Sequence, residues 1–364
     1  MSAYHPCAHS SPMRRQTQVP ELLLPVTRLR TSSRCEDIVQ PPLLQDDRVF
    51  LIARDGTLTA YDADLKDKLW SRASDVGWGT SQLWQGHLLT MPSPGLLSVV
   101  DLRNGEEVER QEVGELTLNY SAIVGDLVLT PLEYPKLGAW NLFKKELVWT
   151  APSEWELSYL TADESVVVVS EESECVGLTV GEGTELWRYS VAEVGRHTLA
   201  LHGERPGATL GHAVLGNGIA FLPVTGGLLL ALNTTDGSLR WQYRAQTASV
   251  RNFALAPDRE ELYLLTENRL TVLHPTSGNV LRDYALQGLQ HPAGDGPYSP
   301  ISLSQDAVWT VDGGGMLTAI SRENARVLQR AACGTPVYEP MTLGRDRIYL
   351  LNALGGVTVV GHRS

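Results

Sequence analysis

The sequence repeats itself about every 40 residues. An alanine followed ten places later by a tryptophan occurs in "AYDADLKDKLW", "AWNLFKKELVW" and "ALNTTDGSLRW", which start at residues 60, 139 and 231. The alignment extends to eight segments between residues 39 and 363, and the position two residues after the alanine marks each of them. The markers are Asp62, Asp101, Asn141, Thr179, Asn233, His274, Ser321 and Gly361. Their spacings are 39, 40, 38, 54, 41, 47 and 40 residues.

Each segment has the pattern of four short strands separated by turns. Four strands of five or six residues with their turns need about 40 residues, the length of one propeller blade. No helical periodicity of ten or more residues interrupts the pattern, which excludes an α/β fold. The sequence therefore predicts an all-β protein, an eight-bladed β-propeller of four-stranded antiparallel blades, with seven blades as the alternative.

The eighth segment lacks a fourth strand, and an open sheet edge there would leave the ring unclosed. We expect the strand-like segment "ELLLPVTRL", residues 21–29, to supply it, with Pro25 tolerated on an edge strand. Residues 1–20 show no repeat and are expected to form a flexible arm, which leaves residues 21–364 as a single propeller domain. Two insertions, near residues 188–209 and 284–297, fall between blades and should emerge on one face of the ring.

The repeated tryptophan opens the outermost strand, where a large ring covers the seam to the adjacent blade. A small residue opposite leaves room for the ring, and a glycine in the turn between them permits positive φ. These structural docking positions are Trp70, Trp149, Trp187, Trp241, Ala60, Ala139, Gly177 and Ala231. Other blades have Glu109, Arg282 and Gln329 instead of tryptophan, and their seams are expected to be held by aliphatic contacts of Val108, Leu281 and Leu328.

The pattern of alanine, aspartate, threonine-glycine and tryptophan resembles the repeats of quinoprotein, or PQQ-like, β-propellers. The resemblance implies the fold, and the family is mostly bacterial. It also includes enzymes that hold pyrroloquinoline quinone over calcium between carboxylates and adjacent cysteines. This chain has no adjacent cysteines, and Asp55 and Asp312 lie in turn sequences. We therefore expect a non-enzymatic member without cofactor or metal.

Composition limits which binding partners and which cellular compartment are expected for this chain. The formal net charge is −12, which disfavours nucleic acid, and no apolar run is long enough for membrane insertion. The four cysteines are scattered without metal or disulfide spacing, and the N-terminal region lacks a signal-peptide core. A cytoplasmic location is expected.

The leading hypothesis is a non-catalytic protein-interaction scaffold, a monomeric propeller in a hetero-complex that binds partner proteins through the face bearing the insertions. Its candidate interface residues are acidic, histidine or aromatic: Trp78, Trp84, Tyr134, Glu171, Glu172, Glu174, His197, His202 and Tyr298. A quinone- or small-ligand-dependent oxidoreductase using the central channel is one alternative. A propeller that binds carbohydrate or peptide on clustered rim aromatics is another.

Overall fold

The computed structural model contains eight four-stranded antiparallel sheets and one two-stranded hairpin. It confirms the all-β, eight-bladed propeller. The structure describes residues 22, 24, 26–31, 37–73, 81–93, 95–116, 118, 121–132, 136–152, 159–194, 197–199, 203–205, 207–209, 211–245, 253–256, 258–266, 269–286, 301–312, 314–333, 337, 340–352 and 354–361.

The blades follow one another along the chain, each numbered from its innermost to its outermost strand. Blade 1 consists of β2 Leu43–Gln45, β3 Arg48–Ile52, β4 Thr57–Asp62 and β5 Lys68–Ala73. Blade 2 consists of β6 Gln82–Trp84, β7 His87–Ser93, β8 Leu96–Asp101 and β9 Glu107–Glu112. Blade 3 consists of β10 Ala122–Val124, β11 Leu127–Pro131, β12 Lys136–Asn141 and β13 Glu146–Pro152. Blade 4 consists of β14 Tyr159–Ala162, β15 Val167–Ser170, β16 Glu174–Leu178 and β17 Glu185–Ser190.

The hairpin follows blade 4 and consists of β18 His197–Leu199 and β19 Gly203–Arg205. Blade 5 consists of β20 Val214–Gly216, β21 Ile219–Val224, β22 Leu228–Asn233 and β23 Leu239–Arg244. Blade 6 consists of β24 Phe253–Ala256, β25 Glu261–Leu265, β26 Arg269–Leu273 and β27 Val280–Ala285. Blade 7 consists of β28 Ser302–Leu303, β29 Ala307–Val311, β30 Met316–Ser321 and β31 Val327–Ala332. Blade 8 consists of β32 Thr342–Leu343, β33 Arg347–Leu351, β34 Val357–Gly361 and, as its outermost strand, β1 Thr27–Thr31.

The middle strands are buried on both faces because each blade packs between two others. All six residues of β21 are buried, whereas β5 on the outside is mostly exposed. Antiparallel order places the turns between first and second and between third and fourth strands at one end of every blade, here called the turn face. The other end, the loop face, carries the turns between second and third strands and the connections between blades.

The closing strand is present but begins later than predicted. β1 pairs with β34 from Thr27 opposite Gly361 to Thr31 opposite Thr358, so the strand comprises Thr27–Thr31 rather than residues 21–29. Before it, Leu22 and Val26 are buried in a core cluster with Trp309 of blade 7. The apolar residues that suggested a strand therefore anchor the segment to the core, and the ladder starts after them. Residues 1–20 lie outside the described residues.

A β-bulge recurs in the outermost strand at the same register. In blade 1, Ala60 pairs with Trp70 and Tyr61 with Lys68, so Leu69 is the extra residue, and blades 2 to 7 show the same shift. β1 has its shift between Arg28 and Arg30, opposite the equivalent part of β34. A bulge bends the strand and redirects the side chains beside it. The closing strand thus reproduces the geometry of the other outermost strands.

Each tryptophan is held by the turn between third and fourth strands of the following blade. The indole N–H groups donate to backbone carbonyls of those turns, at distances between 2.8 and 3.1 Å. The four pairs are Trp70 with Leu102, Trp149 with Val180, Trp187 with Thr234 and Trp241 with Pro275. The acceptors lie in turns rather than on edge strands, so each bond links two blades across a seam.

The ring of each tryptophan lies on a glycine of that same turn. A Cβ added to Gly105, Gly237 or Gly278 would lie 2.6–2.7 Å from ring atoms of the preceding blade's tryptophan, and one added to Gly183 would overlap Trp149. All four glycines have positive φ. The equivalent positions in blades 3 and 7 also have positive φ but carry Lys145 and Ala325, and the blades before them lack the tryptophan. Glycine therefore occurs where a ring must fit, and positive φ alone does not require it.

The prediction of aliphatic contacts at the remaining seams is wrong. Val108, Leu281 and Leu328 are 54%, 44% and 43% exposed, because each is the extra residue of a bulge and points to solvent. Polar contacts close these seams instead.

Between blades 2 and 3, the Gln111 side chain replaces the indole. Its Nε2 donates to the Leu142 carbonyl at 2.9 Å, and its Oε1 accepts from the Trp140 indole at 2.8 Å. Lys145 and Glu109 add an ion pair of 2.5 Å.

Between blades 7 and 8, Gln329 holds the closing segment directly. Its Oε1 accepts from the Val26 amide at 2.6 Å, and its Nε2 donates to the Val26 carbonyl. A carboxamide satisfies both backbone groups of one residue, which an indole cannot do because it only donates. The exchange of tryptophan for glutamine thus suits the seam that the N-terminal segment closes.

Gly183→Ala tests whether the docked ring demands glycine. The added methyl meets Trp149 and adopts positive φ, so we expect the free energy of unfolding to fall by about 3 kcal/mol. Gly125 also has positive φ, but no atom lies within 4 Å of an added Cβ, so Gly125→Ala should cost only about 1 kcal/mol. Denaturant unfolding compares the two, and equal losses would contradict the ring contact as the cause.

Truncation tests closure by the N-terminal segment. Removing residues 1–20 should leave Tm unchanged, since β1, Leu22 and Val26 remain. Removing residues 1–31 exposes β34 as a long apolar edge and deprives Gln329 of its partner, so Tm should fall by at least about 10 °C and aggregation should increase. Differential scanning calorimetry with light scattering measures both, and equal Tm values for the two truncations would refute closure as a source of stability.

Candidate functional site

The first insertion forms an ordered hairpin on the loop face. β18 and β19 pair from His197 opposite Arg205 to Leu199 opposite Gly203. At its base, the Gly207 amide donates to the Ala192 carbonyl at 3.0 Å. The hairpin between blades 4 and 5 is therefore a protrusion built on regular pairing.

Both neighbouring blades hold the base of this hairpin. The Thr209 amide donates to the Glu172 carbonyl at 2.9 Å, and its hydroxyl donates to the Glu171 carbonyl at 2.6 Å. On the other side, the Thr225 amide of blade 5 donates to the Ala208 carbonyl at 2.9 Å. These bonds tie the inserted segment to the second–third turns of two blades.

The acidic turn beneath the hairpin is less exposed than a docking patch would be. Glu171 is 3% exposed, and Glu174 pairs with Arg188 of the outermost strand. Only Glu172 is exposed. The backbone of this turn anchors the hairpin, and one of its three carboxylates faces solvent.

Several candidate interface residues lie outside the described residues: Trp78, Tyr134, His202 and Tyr298. His197 is described only as backbone of β18. Of the second insertion, near residues 284–297, the part from residue 287 onward is likewise outside the described residues.

Trp84 lies on the opposite face from the one expected. It is the last residue of β6, next to the first–second turn, and that places it on the turn face. Its indole donates to the Gly125 carbonyl at 3.0 Å, and its ring lies 5.3 Å from that of Phe143, edge to face. Phe143 is 62% exposed and was not among the sequence candidates. The sequence could have identified Phe143, because the other repeats carry no aromatic residue at the equivalent turn position.

The innermost strands around the channel carry no charged residue; their sequences are LLQ, QLW, AIV, YLTA, VLG, FALA, SL and TL. Their polar side chains are used between blades, as when the Thr342 hydroxyl donates to the Pro42 carbonyl at 2.8 Å and Gln82 Nε2 to the Ser121 carbonyl at 3.0 Å. Among the residues that the structure describes, no three His, Cys, Asp or Glu side chains group as metal ligands.

Asp55 and Asp312 act as turn caps. Asp55 Oδ1 accepts from the Thr57 amide, and Asp312 Oδ1 accepts from the amides of Gly314 and Met316, each at 2.9 Å. The bonds from Thr57 lower the pKa of Asp55. Both carboxylates are engaged with their own turns.

A buried charged cluster joins blades 6 and 7, where the docking tryptophan is missing. Arg322 is fully buried, and its guanidinium donates to both carboxylate oxygens of Asp258 and to the Tyr263 hydroxyl, each at 3.0 Å. Tyr263 in turn donates to Glu261, which also accepts from Arg282 at 2.5 Å. Burial raises the pKa of Tyr263, which keeps its proton in place as a donor. The cluster pairs its charges internally, so it is a structural joint between blades.

Two cysteines are described, Cys175 and Cys333; both are buried, and neither forms a disulfide within the described residues. Burial raises the pKa of the Cys175 thiol to about 12, which makes it unreactive at neutral pH. The described chain contains no helix that could span a membrane.

The repeat and the seams define a PQQ-like β-propeller. The sequence matches the family described as outer membrane protein assembly factor BamB over residues 27–132, 93–252 and 205–296, which together span more than half of the chain. The chain belongs to this family. A search of curated protein sequences finds no match.

Solved structures share the fold at low identity. BamB from Moraxella catarrhalis is 15% identical with a TM-score of 0.67, covering 93% of this chain and 98% of that one. The computationally designed Ika8 protein is 14% identical with a TM-score of 0.73, covering 92% and 100%. A europium-containing methanol dehydrogenase is 9% identical with a TM-score of 0.66, covering 93% of each chain. An assembly factor, a designed protein and an enzyme share this architecture, so the fold alone does not define the activity.

Replacing Arg322 tests the buried joint. Arg322→Met leaves Asp258 and Tyr263 without their guanidinium, so we expect the free energy of unfolding to fall by about 3–5 kcal/mol. Arg326 lies in the same turn but is exposed, and Arg326→Met should stay within about 0.5 kcal/mol of wild type. Denaturant unfolding of the two variants gives the comparison, and a small loss for Arg322→Met would show that the joint does not hold the seam.

Proposed function

We propose that this protein is a non-catalytic interaction scaffold that binds a partner protein through its loop face, as one monomeric propeller of a hetero-complex. The observation that carries the proposal is the hairpin β18–β19, a protrusion whose base is hydrogen-bonded to the turns of blades 4 and 5. A protrusion held on rigid blades presents a defined surface and loses little conformational freedom when a partner binds.

The family description also supports a scaffold function. An assembly factor acts by bringing other proteins together, and a ring closed at every seam is a suitable rigid platform for that role. The uncharged innermost strands offer no converging carboxylates for a quinone-dependent oxidoreductase in the channel. The two described cysteines form no disulfide with described residues, which is compatible with a reducing compartment, and we propose a cytoplasmic location.

Affinity purification of the tagged full-length protein from its source organism tests the scaffold. We expect a stoichiometric partner identified by mass spectrometry. Replacing residues 195–206 with a short Gly-Ser linker should abolish its co-purification while Tm stays within about 3 °C, because the hairpin lies between blades and outside their sheets.

Arg326→Gln on the turn face is the matched control and should retain the partner. Loss of the partner with both variants would assign the effect to general destabilisation. Retention after loop replacement would place the interface elsewhere than on the hairpin. Purification of the wild-type protein without any stoichiometric partner would contradict the scaffold.

A further inference from the structure

The turn face of blades 2 and 3 carries a surface that the loop-face function does not use. We call it the aromatic–basic patch, and it consists of Trp84, His87, Arg103, Phe143 and Lys144. All five lie in or beside the first–second turn of blade 2 or the third–fourth turns of blades 2 and 3.

The aromatic part of the patch is a fixed shelf. The Phe143 ring lies edge to face with the Trp84 ring at 5.3 Å, and the His87 ring lies 6.0 Å from that of Trp84. The indole bond to the Gly125 carbonyl fixes Trp84, and the Asn141 side chain accepts from the amides of Phe143 and Lys144. A partner that covers Phe143 would therefore meet a rigid aromatic surface that needs no reordering.

Closure of the seam does not account for this shelf. The seam between blades 2 and 3 is already held by Trp140 and Gln111, and Trp140 is 8% exposed. Phe143 is 62% exposed, so most of its ring contributes nothing to packing between blades. A large aromatic side chain held on the surface beside arginine has the composition of an interface anchor.

A cleft of about 240 Å³ between blades 1 and 2 adjoins the shelf. Phe50 and Leu102 form its apolar lining, and Arg48, His87 and Arg103 contribute polar edges. The carboxylates of Asp46 and Asp101 also line it, and Asp101 is paired with Arg103. The shelf and the cleft share His87, so an extended segment could lie across both.

Cationic groups of the patch remain available for an acidic partner. Arg103 binds Asp101 through Nε and Nη2, which lowers the pKa of Asp101 to about 2, and leaves Nη1 on a side chain that is 84% exposed. Arg48 and Lys144 form no ion pair with a carboxylate of the described residues. Of the neighbouring carboxylates, Glu109 is ion-paired with Lys145, and Asp126 accepts a hydrogen bond from the uncharged Gln85 amide.

The first–second turns elsewhere on the turn face are mostly acidic. Carboxylates occupy the first–second turns of most other blades: Asp46, Asp47, Asp163, Glu164, Asp258, Glu260, Asp306 and Asp346. Together with a net charge of −12, these carboxylates make acidic segments less favoured at those turns than beside the shelf.

We propose that the aromatic–basic patch binds a segment of a partner protein in which a large apolar side chain is flanked by carboxylates. The apolar side chain covers Phe143 and Trp84, and the carboxylates bind Arg103 and Lys144 of the patch and Arg48 of the adjoining cleft. The inference rests on the proposed scaffold function and adds a second docking surface on the face opposite the hairpin.

Selection of displayed random 12-residue peptides on the immobilised full-length protein tests the patch. We expect enriched peptides to combine an aromatic or large aliphatic residue with at least two Asp or Glu. A synthetic copy, measured by fluorescence polarisation, should bind Phe143→Ser at least about tenfold more weakly, and Arg103→Gln and Lys144→Gln about threefold to tenfold more weakly.

Two control variants make equivalent substitutions elsewhere on the ring. Leu354→Ser removes an apolar side chain that is 55% exposed on the loop face, and Arg326→Gln removes a cation from the turn face of blade 7. Both should bind the peptide with unchanged affinity. Basic peptides, peptides without carboxylates, equal binding to Phe143→Ser, or no enrichment over a blank surface would each overturn the proposal. The hairpin-dependent partner is scored separately, so failure of the patch leaves the loop-face test intact.

Discussion

The contact between a tryptophan and the third–fourth turn of the next blade is the interaction on which the ring depends. One indole donates to a turn carbonyl while its ring covers the adjacent glycine, as Trp187 does with Thr234 and Gly237. The contact joins a hydrogen bond to burial of a large aromatic surface, and it links sheets that share no backbone ladder. Because the tryptophan and its glycine belong to neighbouring repeats, the alanine-to-tryptophan segment of one repeat can take part in two seams. Blades 4 and 5, for example, offer a glycine to the blade before them and a tryptophan to the blade after them.

The seams without tryptophan show that other side chains, at the tryptophan position or near it, can make the contact between blades. Gln111 reaches the same turn carbonyl in blade 3 that an indole would reach, and Gln329 holds both backbone groups of Val26 where the N-terminal segment completes blade 8. At the joint of blades 6 and 7, the buried Arg322 of blade 7 extends into blade 6, where it donates to Asp258 and Tyr263. A buried charge of this kind is tolerated only when its partners are complete, so these seams depend on specific side chains more strictly than the aromatic ones do.

The two faces of the ring are built differently, and that difference organises the functional proposals. Connections between blades can lengthen without disturbing any sheet, and the hairpin β18–β19 is an example on the loop face. The turn face is limited to short turns, so its variation lies in side chains, and Phe143 is an aromatic residue in a turn where the other blades are polar. A scaffold with one surface on each face could hold two partners at once, with the rigid seams setting the distance between them.

The sequence by itself determined the fold class, and it indicated eight blades and the tryptophans that dock between them, because repeated spacing and short-range turn chemistry are local properties of the chain; the structure decided for eight blades over the alternative of seven. It also indicated closure by the N-terminal segment, although it mistook core-anchoring residues such as Leu22 for part of the strand. Only the tertiary structure decided which side chains meet across a seam. Arg322 and Tyr263 are 59 positions apart, and nothing local in either repeat marks them as partners. The bulge that turns Val108 outward and the strand direction that carries Trp84 to the turn face are likewise consequences of strand pairing, which fixes where each side chain points.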